Sequence, residues 1–449
     1  MNSQTPPRTH RSGFQTFLLI WAAQFIARTG NGLTAFGLGV YVYHLTGLTT
    51  PVAMIAMASF LPSVLLAPFG GVIADRFDRR IVMILGDASS ASGLFLLLIA
   101  LHQQASVAVL CACVALSSVC QSVMEPAYRA TVSDLLTPEE YARAGGMVQL
   151  ASASQYLIAP ALGGMLLARF NITLLITIDI CTMCTTILAM VFVWRTIASA
   201  TPTQEENFWK QFRDGVAFFA HERGVLTMLY LITLVTFCIG FVQTLFTPLV
   251  LDLADERTLG LLTSTAACGM LVSSGIIGAK GTGNNHLRYL SLGLLAAGIT
   301  VAGIGARPNV IVIAVFAFAF FMTLPVLNTS LEVLVRAAIP NETQGRIWGL
   351  VSLISQLGYL IAYAFAGPLA DHVFNPLLQP DGALAPTVGQ LIGVGGERGI
   401  GLMLLLVGAL LAAIAATLQR SRSARKLQTH FLNTLEATRN EPNGRDGQS

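Results

Sequence analysis

The chain of 449 residues is strongly apolar and carries few charges. Hydrophobic residues make up 54% of it and charged residues 11%, with a mean hydropathy of +0.67 and a net charge of only +3. Soluble globular domains carry about 25% charged residues, so this composition excludes a water-soluble body of this size. All seven cysteines lie in apolar runs, and we interpret the pair Cys181 and Cys184 as apolar side chains rather than a metal or redox site.

Twelve apolar runs, each long enough to cross a bilayer, follow one another along the chain. We predict membrane-spanning helices at 15–42, 50–74, 81–101, 105–130, 144–168, 172–194, 224–250, 258–279, 288–306, 309–336, 346–370 and 399–419. The first run is longer than the apolar core of a cleaved signal peptide, so we expect it to be retained. The predicted fold is an all-α integral membrane protein of twelve transmembrane helices.

Lysine and arginine are distributed unevenly between the two sets of connections. If the N-terminus is cytoplasmic, four of the 26 fall on the outer side, Arg28 falls inside the first span, and the other 21 are cytoplasmic. The outer four are Arg169, Arg257, Arg307 and Arg398. Cytoplasmic loops are enriched in basic residues. We therefore predict a multi-pass protein of the cytoplasmic (inner) membrane with both termini in the cytoplasm.

An internal repeat divides the chain. The tetrapeptide at 156–159, Tyr-Leu-Ile-Ala, recurs at 359–362, and Pro138-Glu139-Glu140 is paralleled by Pro340-Asn341-Glu342 at nearly the same offset. The repeat predicts two six-helix halves in the same orientation. The predicted segments are an N-terminal half at 1–194, a cytoplasmic linker at 195–223, a C-terminal half at 224–419 and a cytoplasmic tail at 420–449.

A charged motif fills the short connection between spans two and three. It reads Gly-Val-Ile-Ala-Asp-Arg-Phe-Asp-Arg-Arg from residue 71 to residue 80. Gly71 allows helices to approach closely, and Asp75 can oppose a helix N-terminus and pair with the arginines. The candidate gating residues are Gly71, Asp75, Arg76, Arg79 and Arg80. The alternative is a plain cluster of cytoplasmic positive charges.

Span five contains a second motif made of small residues and one proline. Its members are Gly146, Pro160, Gly163 and Gly164. Such a composition lets a helix bend and pack closely against a neighbour. Ordinary helix packing without a special role is the alternative interpretation.

Both motifs resemble signatures of the major facilitator superfamily. The first resembles G-x-x-x-D-R-x-G-R-R, with Asp78 in place of the usual Gly. The second resembles the antiporter motif G-x8-G-x3-G-P-x-x-G-G, from which Gln155 and Ala159 depart. The resemblance implies that Asp75 and the arginines latch the two halves on the cytoplasmic side, and it favours export over uptake.

Further stretches narrow the resemblance to one branch. Residues 328–336 and 339–346 look like the branch that holds macrolide-efflux proteins and the enterobactin exporter, and this similarity covers nearly the whole chain. Loop 371–398 looks like transporters found beside peptide or polyketide assembly lines. That likeness implies the product of a biosynthetic gene cluster as cargo.

Polar side chains inside apolar spans are energetically costly and usually functional. The candidates for binding substrate or protons are Arg28, Asn31, Glu125, Asp179, Asn328 and Glu332. Glu125 and Arg129 stand four positions apart, as do Glu332 and Arg336, so each pair can share one helix face. The alternative for each pair is a self-paired charge that anchors the helix at the membrane interface.

Arg28 is the charge nearest the middle of a span. One hypothesis is that it faces a central cavity between the halves and binds an acidic substrate, such as a siderophore or an acidic peptide product. The alternative is a permanent pair with an intramembrane acid such as Asp179, which would only hold helices together.

The residues favour transport over catalysis. No phosphate-cradling loop and no nucleophile with a matching base stand out, so we expect no enzyme activity, no cofactor, no metal and no nucleic-acid partner. We expect a secondary transporter in the lipid bilayer that exports a small organic molecule by proton antiport, with alternating access and the proton gradient as energy source. Siderophores, antibiotics and other secondary metabolites are the candidate cargoes. An importer of the same fold and a non-transporting membrane sensor are the alternatives.

Overall fold

The computed structural model is helical through most of its described part, with no strand among those residues. The residues it describes are 10–137, 139–194, 223–281, 283–339, 344–422, 424–426, 428–429 and 431–433. The repeat residues Pro138 and 340–342 and nearly all of the predicted linker lie outside them.

Fifteen α-helices follow one another in the described ranges. They are α1 (His10–Thr46), α2 (Thr49–Arg76), α3 (Arg79–His102), α4 (Val107–Leu135), α5 (Tyr141–Leu157), α6 (Ala159–Leu167), α7 (Ile172–Phe192), α8 (Arg223–Leu251), α9 (Glu256–Lys280), α10 (His286–Ala306), α11 (Val310–Ala338), α12 (Gln344–Leu369), α13 (Asn375–Leu377), α14 (Gly389–Ile392) and α15 (Arg398–Arg420). A π-helical turn, Ala370–Phe374, joins α12 to α13.

The helices have the length and composition of membrane spans. Eleven spans in the described part meet both conditions, one of them formed by α5 and α6 together. The remaining long helix, α1, has 37 residues but is less apolar because Gln24, Arg28 and Asn31 lie in its middle. With α1 counted, the prediction of an all-α protein with twelve transmembrane helices is confirmed.

Span five is broken where the sequence predicts a bend. Helix α5 ends at Leu157 and α6 begins at Ala159, with Pro160 in its first turn. Proline has no backbone N–H, and its ring clashes with the carbonyl four residues earlier, so it is accommodated at the start of a helix.

The chain divides into two compact units. The first comprises Met1–Gln204 and Ala254–Ser264, and the second comprises Glu205–Leu253 and Thr265–Ser449. Within the first, α2 and α3 pack on α4, and α1 packs on α5, α6 and α7. Within the second, α10 packs on α11 and α15, and α8 packs on α12. The predicted segment boundaries stay a prediction.

Glycines set a close contact between two helices of the second unit. A Cβ added to Gly298 would lie 2.9 Å from the backbone nitrogen of Ala412, and one added to Gly408 would lie 2.8 Å from that of Ala302. Only glycine lets two backbones approach so closely. The pairing runs antiparallel, so α10 begins at the end of the bundle where α15 ends.

Candidate functional site

Arg28, halfway along α1, forms an ion pair with Glu125 of α4. Glu125 also accepts a hydrogen bond of 2.9 Å from Nε of Arg129, one turn later on α4. The Arg28 side chain is only 16% exposed and that of Glu125 34%, whereas Arg129 is 72% exposed. Glu125 therefore pairs with two arginines. Its pair with Arg28, which lies in the middle of the first span, joins α1 to α4.

The suggested partner of Arg28, Asp179, was wrong. Asp179 is buried on α7, which packs on the other side of α1: a Cβ added to Gly30 would lie 2.9 Å from Oδ1 of Asp179. Arg28 and Gly30 are two positions apart, about 200° around a helix, so they point to different neighbours. Oδ1 of Asp179 has no hydrogen-bond partner among the described residues.

Asn31 belongs to a chain of polar side chains that crosses three helices. Nε2 of Gln121 donates to Oδ1 of Asn31 at 3.2 Å and to Oγ of Ser90 at 3.2 Å. The Ser90 hydroxyl in turn lies 2.6 Å from the hydroxyl of Ser117. Gln121 stands one turn before Glu125 on α4, so these groups continue the polar face on which the ion pair lies.

A second buried acid, Asp87 of α3, was missed by the sequence interpretation. It is 3% exposed and accepts a hydrogen bond from the hydroxyl of Thr186 on α7. The signal was present as a lone acid inside predicted span 81–101. Its hydroxyl partner gave no signal, because threonines are common in transmembrane helices.

The charged motif after α2 is organised around Asp78. The Asp78 side chain caps α3 by accepting from the backbone N–H of Arg80 at 3.0 Å, and it also accepts from Nε of Arg80 at 2.8 Å. These hydrogen bonds from Arg80 hold the pKa of Asp78 below its usual value. The departure from the superfamily pattern at this position is therefore an N-cap.

Two arginines of the motif reach other helices of the first unit. Arg79 forms an ion pair with Asp134 near the end of α4. Arg80 donates to the carbonyl of Trp194 at 2.8 Å, and its guanidinium lies 4.7 Å from the centre of the Trp194 ring. The backbones of Gly71 and Asp75 lie in α2, and their side-chain surroundings are outside the described part. The gating role of the motif stays a prediction.

The glycines of the second motif differ in their surroundings. A Cβ on Gly164 would lie 3.2 Å from Cα of Arg257 and 3.2 Å from Cα of Gly260, and still closer to the carbonyl oxygen of Glu256. A Cβ on Gly163 would lie 2.8 Å from the ring of Phe36. By contrast, nothing lies within 4 Å of a Cβ on Gly146. The motif therefore contains two contact glycines and one open position.

A backbone N–H freed by the break before Pro160 is hydrogen-bonded by a side chain of α9. The first N–H groups of a helix have no acceptor within it, and the hydroxyl of Ser264 accepts from the backbone N–H of Ala161 at 3.0 Å. Residues 254–264 belong to the first unit, so this contact and the one at Gly164 lie within it.

The candidates in the second unit form only a local pair. Arg336 donates to Glu332 at 2.9 Å one turn apart on α11, and both side chains are more than half exposed. Asn328 is also exposed. The predicted pairing of Glu332 with Arg336 on one helix face is present. Among the described residues, Glu332 has no second cation that would correspond to Arg28 beside Glu125.

Comparison with known proteins decides the family. A model of the Major Facilitator Superfamily matches residues 20–363. The chain belongs to the major facilitator superfamily. It is thus a transporter of the membrane, in a family whose members are generally not enzymes.

Relatives of this superfamily chain include named efflux proteins. Macrolide efflux protein A of Streptococcus pyogenes is 23% identical over 365 residues, which cover 80% of this chain and 90% of that protein. Multidrug efflux pump Tap of Mycolicibacterium fortuitum is 25% identical over 380 residues, which cover 79% and 89%. The match to the efflux branch agrees with the resemblance seen in the sequence.

Solved structures show the same fold. The POT family transporter PepTSo aligns with a TM-score of 0.74 at 12% identity, covering 94% of this chain and 99% of that one. The nucleoside transporter NupG aligns with a TM-score of 0.70 at 11% identity, covering 91% and 100%. At such identities the likeness extends to the fold alone.

Proposed function

We propose that this transporter exports a small organic molecule across the cytoplasmic membrane in exchange for protons. The observation that carries the proposal is the Arg28–Glu125–Arg129 cluster, which joins α1 to α4 inside the membrane-spanning part. Intramembrane charges are expensive and typically mark substrate or ion pathways. The efflux relatives support the outward direction.

Glu125 is our candidate for the residue that exchanges the proton. As an anion it holds Arg28 and Arg129 together, and as a neutral acid it no longer balances either charge. Protonation therefore weakens the contact between α1 and α4. A change of this kind links the proton to the arrangement of two helices, as alternating access requires.

The pairing also constrains the cargo. An antiporter must not hold proton and cargo together, so its cargo has to compete with the proton. A cargo with a positively charged group meets this condition, because it binds ionised Glu125 and protonation of Glu125 expels it. An acidic cargo bound to Arg28 does not compete with the proton. Arg28 is released to bind such a cargo only when Glu125 is protonated, so proton and cargo would be bound together. We therefore propose an amine-bearing cargo.

The test uses inverted vesicles with an acid interior, made from cells that express the protein. We expect an amine-bearing macrolide to enter the vesicles and to release protons, measured with a pH-sensitive dye. Glu125→Gln should abolish pH-driven uptake and retain exchange of labelled for unlabelled cargo. Glu332→Gln is the matched control, since Glu332 has the same partner spacing but no Arg28 counterpart in the described part, and it should keep pH-driven uptake.

Two results would redirect the proposal. Proton release driven by an acidic siderophore, undiminished in Glu125→Gln, would move the cargo site to Arg28 and the proton to Asp179 or Asp87. Cargo movement out of the inverted vesicles under the same gradient, which corresponds to uptake into the cell, would identify an importer.

A further inference from the structure

The C-terminal tail is docked against the second unit. The described residues between 422 and 433 are helical, and Ala424 is fully buried. Oε1 of Gln428 accepts from the backbone N–H of Leu287 at 2.9 Å, and its Nε2 donates to the carbonyl of Asn284 at 2.8 Å. These bonds tie the tail to the start of α10, where helix N–H groups lack partners within the helix.

The docked tail lies where two membrane spans end. Candidate spans begin at His286 and end at Arg420, and the antiparallel glycine contact between α10 and α15 brings these two ends together. Residues just beyond the apolar part of a span lie at the level of the lipid headgroups. The tail is therefore held at that level by Gln428.

Cations of this tail gather around one groove. Arg422, Arg425 and Lys426 line an open surface groove of about 510 Å³ together with Thr429 and Asn433, and all five side chains are exposed. None of the three cations has an ion-pair partner among the described residues. No Asp or Glu occurs in 281–308 or in 399–435, and the first acid after the described tail is Glu436. Among the described residues the groove is thus a positive site without a compensating acid.

We propose that this groove, the tail groove, binds the headgroup of an anionic phospholipid. Two arginines and a lysine are opposite in charge to a phosphate and offer it hydrogen-bond donors, although one Nη of Arg425 also donates to the carbonyl of Arg420. Basic clusters directly after a transmembrane helix attract anionic lipid, with roughly a fivefold gain in binding for each Lys or Arg. A topological signal alone requires neither the docking by Gln428 nor the groove.

The experiment measures lipid binding to the full-length protein purified in a neutral detergent. Phosphatidylglycerol is titrated against the thermal unfolding midpoint, with phosphatidylcholine as the neutral lipid and inorganic phosphate as the free anion. The triple variant Arg422→Gln, Arg425→Gln, Lys426→Gln removes the charges. Gln428→Ala keeps every charge and releases the tail. Arg169→Gln with Arg307→Gln removes exposed cations that lie at other helix ends, and serves as control.

We expect phosphatidylglycerol, and neither phosphatidylcholine nor phosphate, to raise the midpoint of the wild-type and control proteins. The half-saturating concentration should rise at least tenfold in the triple variant and several-fold in Gln428→Ala. Equal lipid responses in the wild-type and triple variants would overturn the proposal. A full lipid response in Gln428→Ala would show that the charges suffice without the docked tail, and this would also overturn the proposal. Saturation by inorganic phosphate alone would assign the groove to a free anion and would overturn it as well.

Discussion

Replacing Gly164 with alanine tests the close contact between α6 and the first turns of α9. The added Cβ would lie 3.2 Å from two backbone Cα atoms and closer to a carbonyl oxygen, and backbone cannot move aside as a flexible side chain can. Forcing an extra methyl into such a contact costs about 1–3 kcal/mol. Alanine regains up to about 1 kcal/mol in helix propensity. With the full propensity gain, the net destabilisation expected is about 0–2 kcal/mol, which is about 1–3 kcal/mol worse than a glycine-to-alanine change without the clash.

Gly146→Ala is the matched control, because it changes another glycine of the same motif into alanine where no atom lies within 4 Å. Without the clash, only the helix-propensity gain of up to about 1 kcal/mol remains. Thermal unfolding of the detergent-solubilised protein should place Gly164→Ala a few degrees below Gly146→Ala. Equal midpoints in the two variants would refute the contact.

Three further predictions concern topology and the charged motif. Reporter fusions after residues 210 and 440 should report cytoplasm and one near 385 the outside; an inside signal at 385 would contradict the helix count. Asp75→Asn should leave membrane abundance intact but reduce flux in vesicles, because it removes a charge with little change in volume, and unchanged flux would reduce the motif to a topology signal. Asp78→Ala should lower stability by about 1 kcal/mol through loss of the cap. Since the pKa of Asp78 is lowered in the folded protein, that loss should be seen at neutral pH and vanish as pH falls below about 4, and a pH-independent loss would exclude the carboxylate as its cause.

The spans and the bend were predictable because their causes are local. A run of about twenty apolar residues has few alternatives to a membrane helix. The break before Pro160 follows from the missing N–H of proline. The pairs Glu125–Arg129 and Glu332–Arg336 were also predictable, since a helix places residues four apart on one face.

Contacts between helices were harder to predict, because they depend on how each helix is rotated about its axis. The sequence identified Arg28 as a costly charge but gave no means of choosing between acids on α4 and α7. Positions 28 and 30 point about 200° apart around α1. Because α7 packs closely against Gly30, Arg28 points away from α7 and towards Glu125 of α4. Asp78 shows the same limit, because its cap became visible only with the backbone of α3 in place.

The two halves of the repeat offer an internal comparison that favours a role for the first unit in coupling. Each carries a Glu–Arg pair one turn apart near the end of a corresponding span, Glu125 with Arg129 and Glu332 with Arg336. Only the first half adds a cation in the middle of its opening helix, since α8 carries Arg223 at its first residue and no charged side chain from 224 to 251. The second pair can be explained by interfacial anchoring alone, because its charges balance within one exposed helix turn. The first cannot, because Arg28 keeps an additional charge in the middle of a span at considerable cost. A charge retained in the middle of a span where the related half has none favours a function over helix anchoring alone, and under the proposed mechanism competition for Glu125 among Arg28, proton and cargo would supply one.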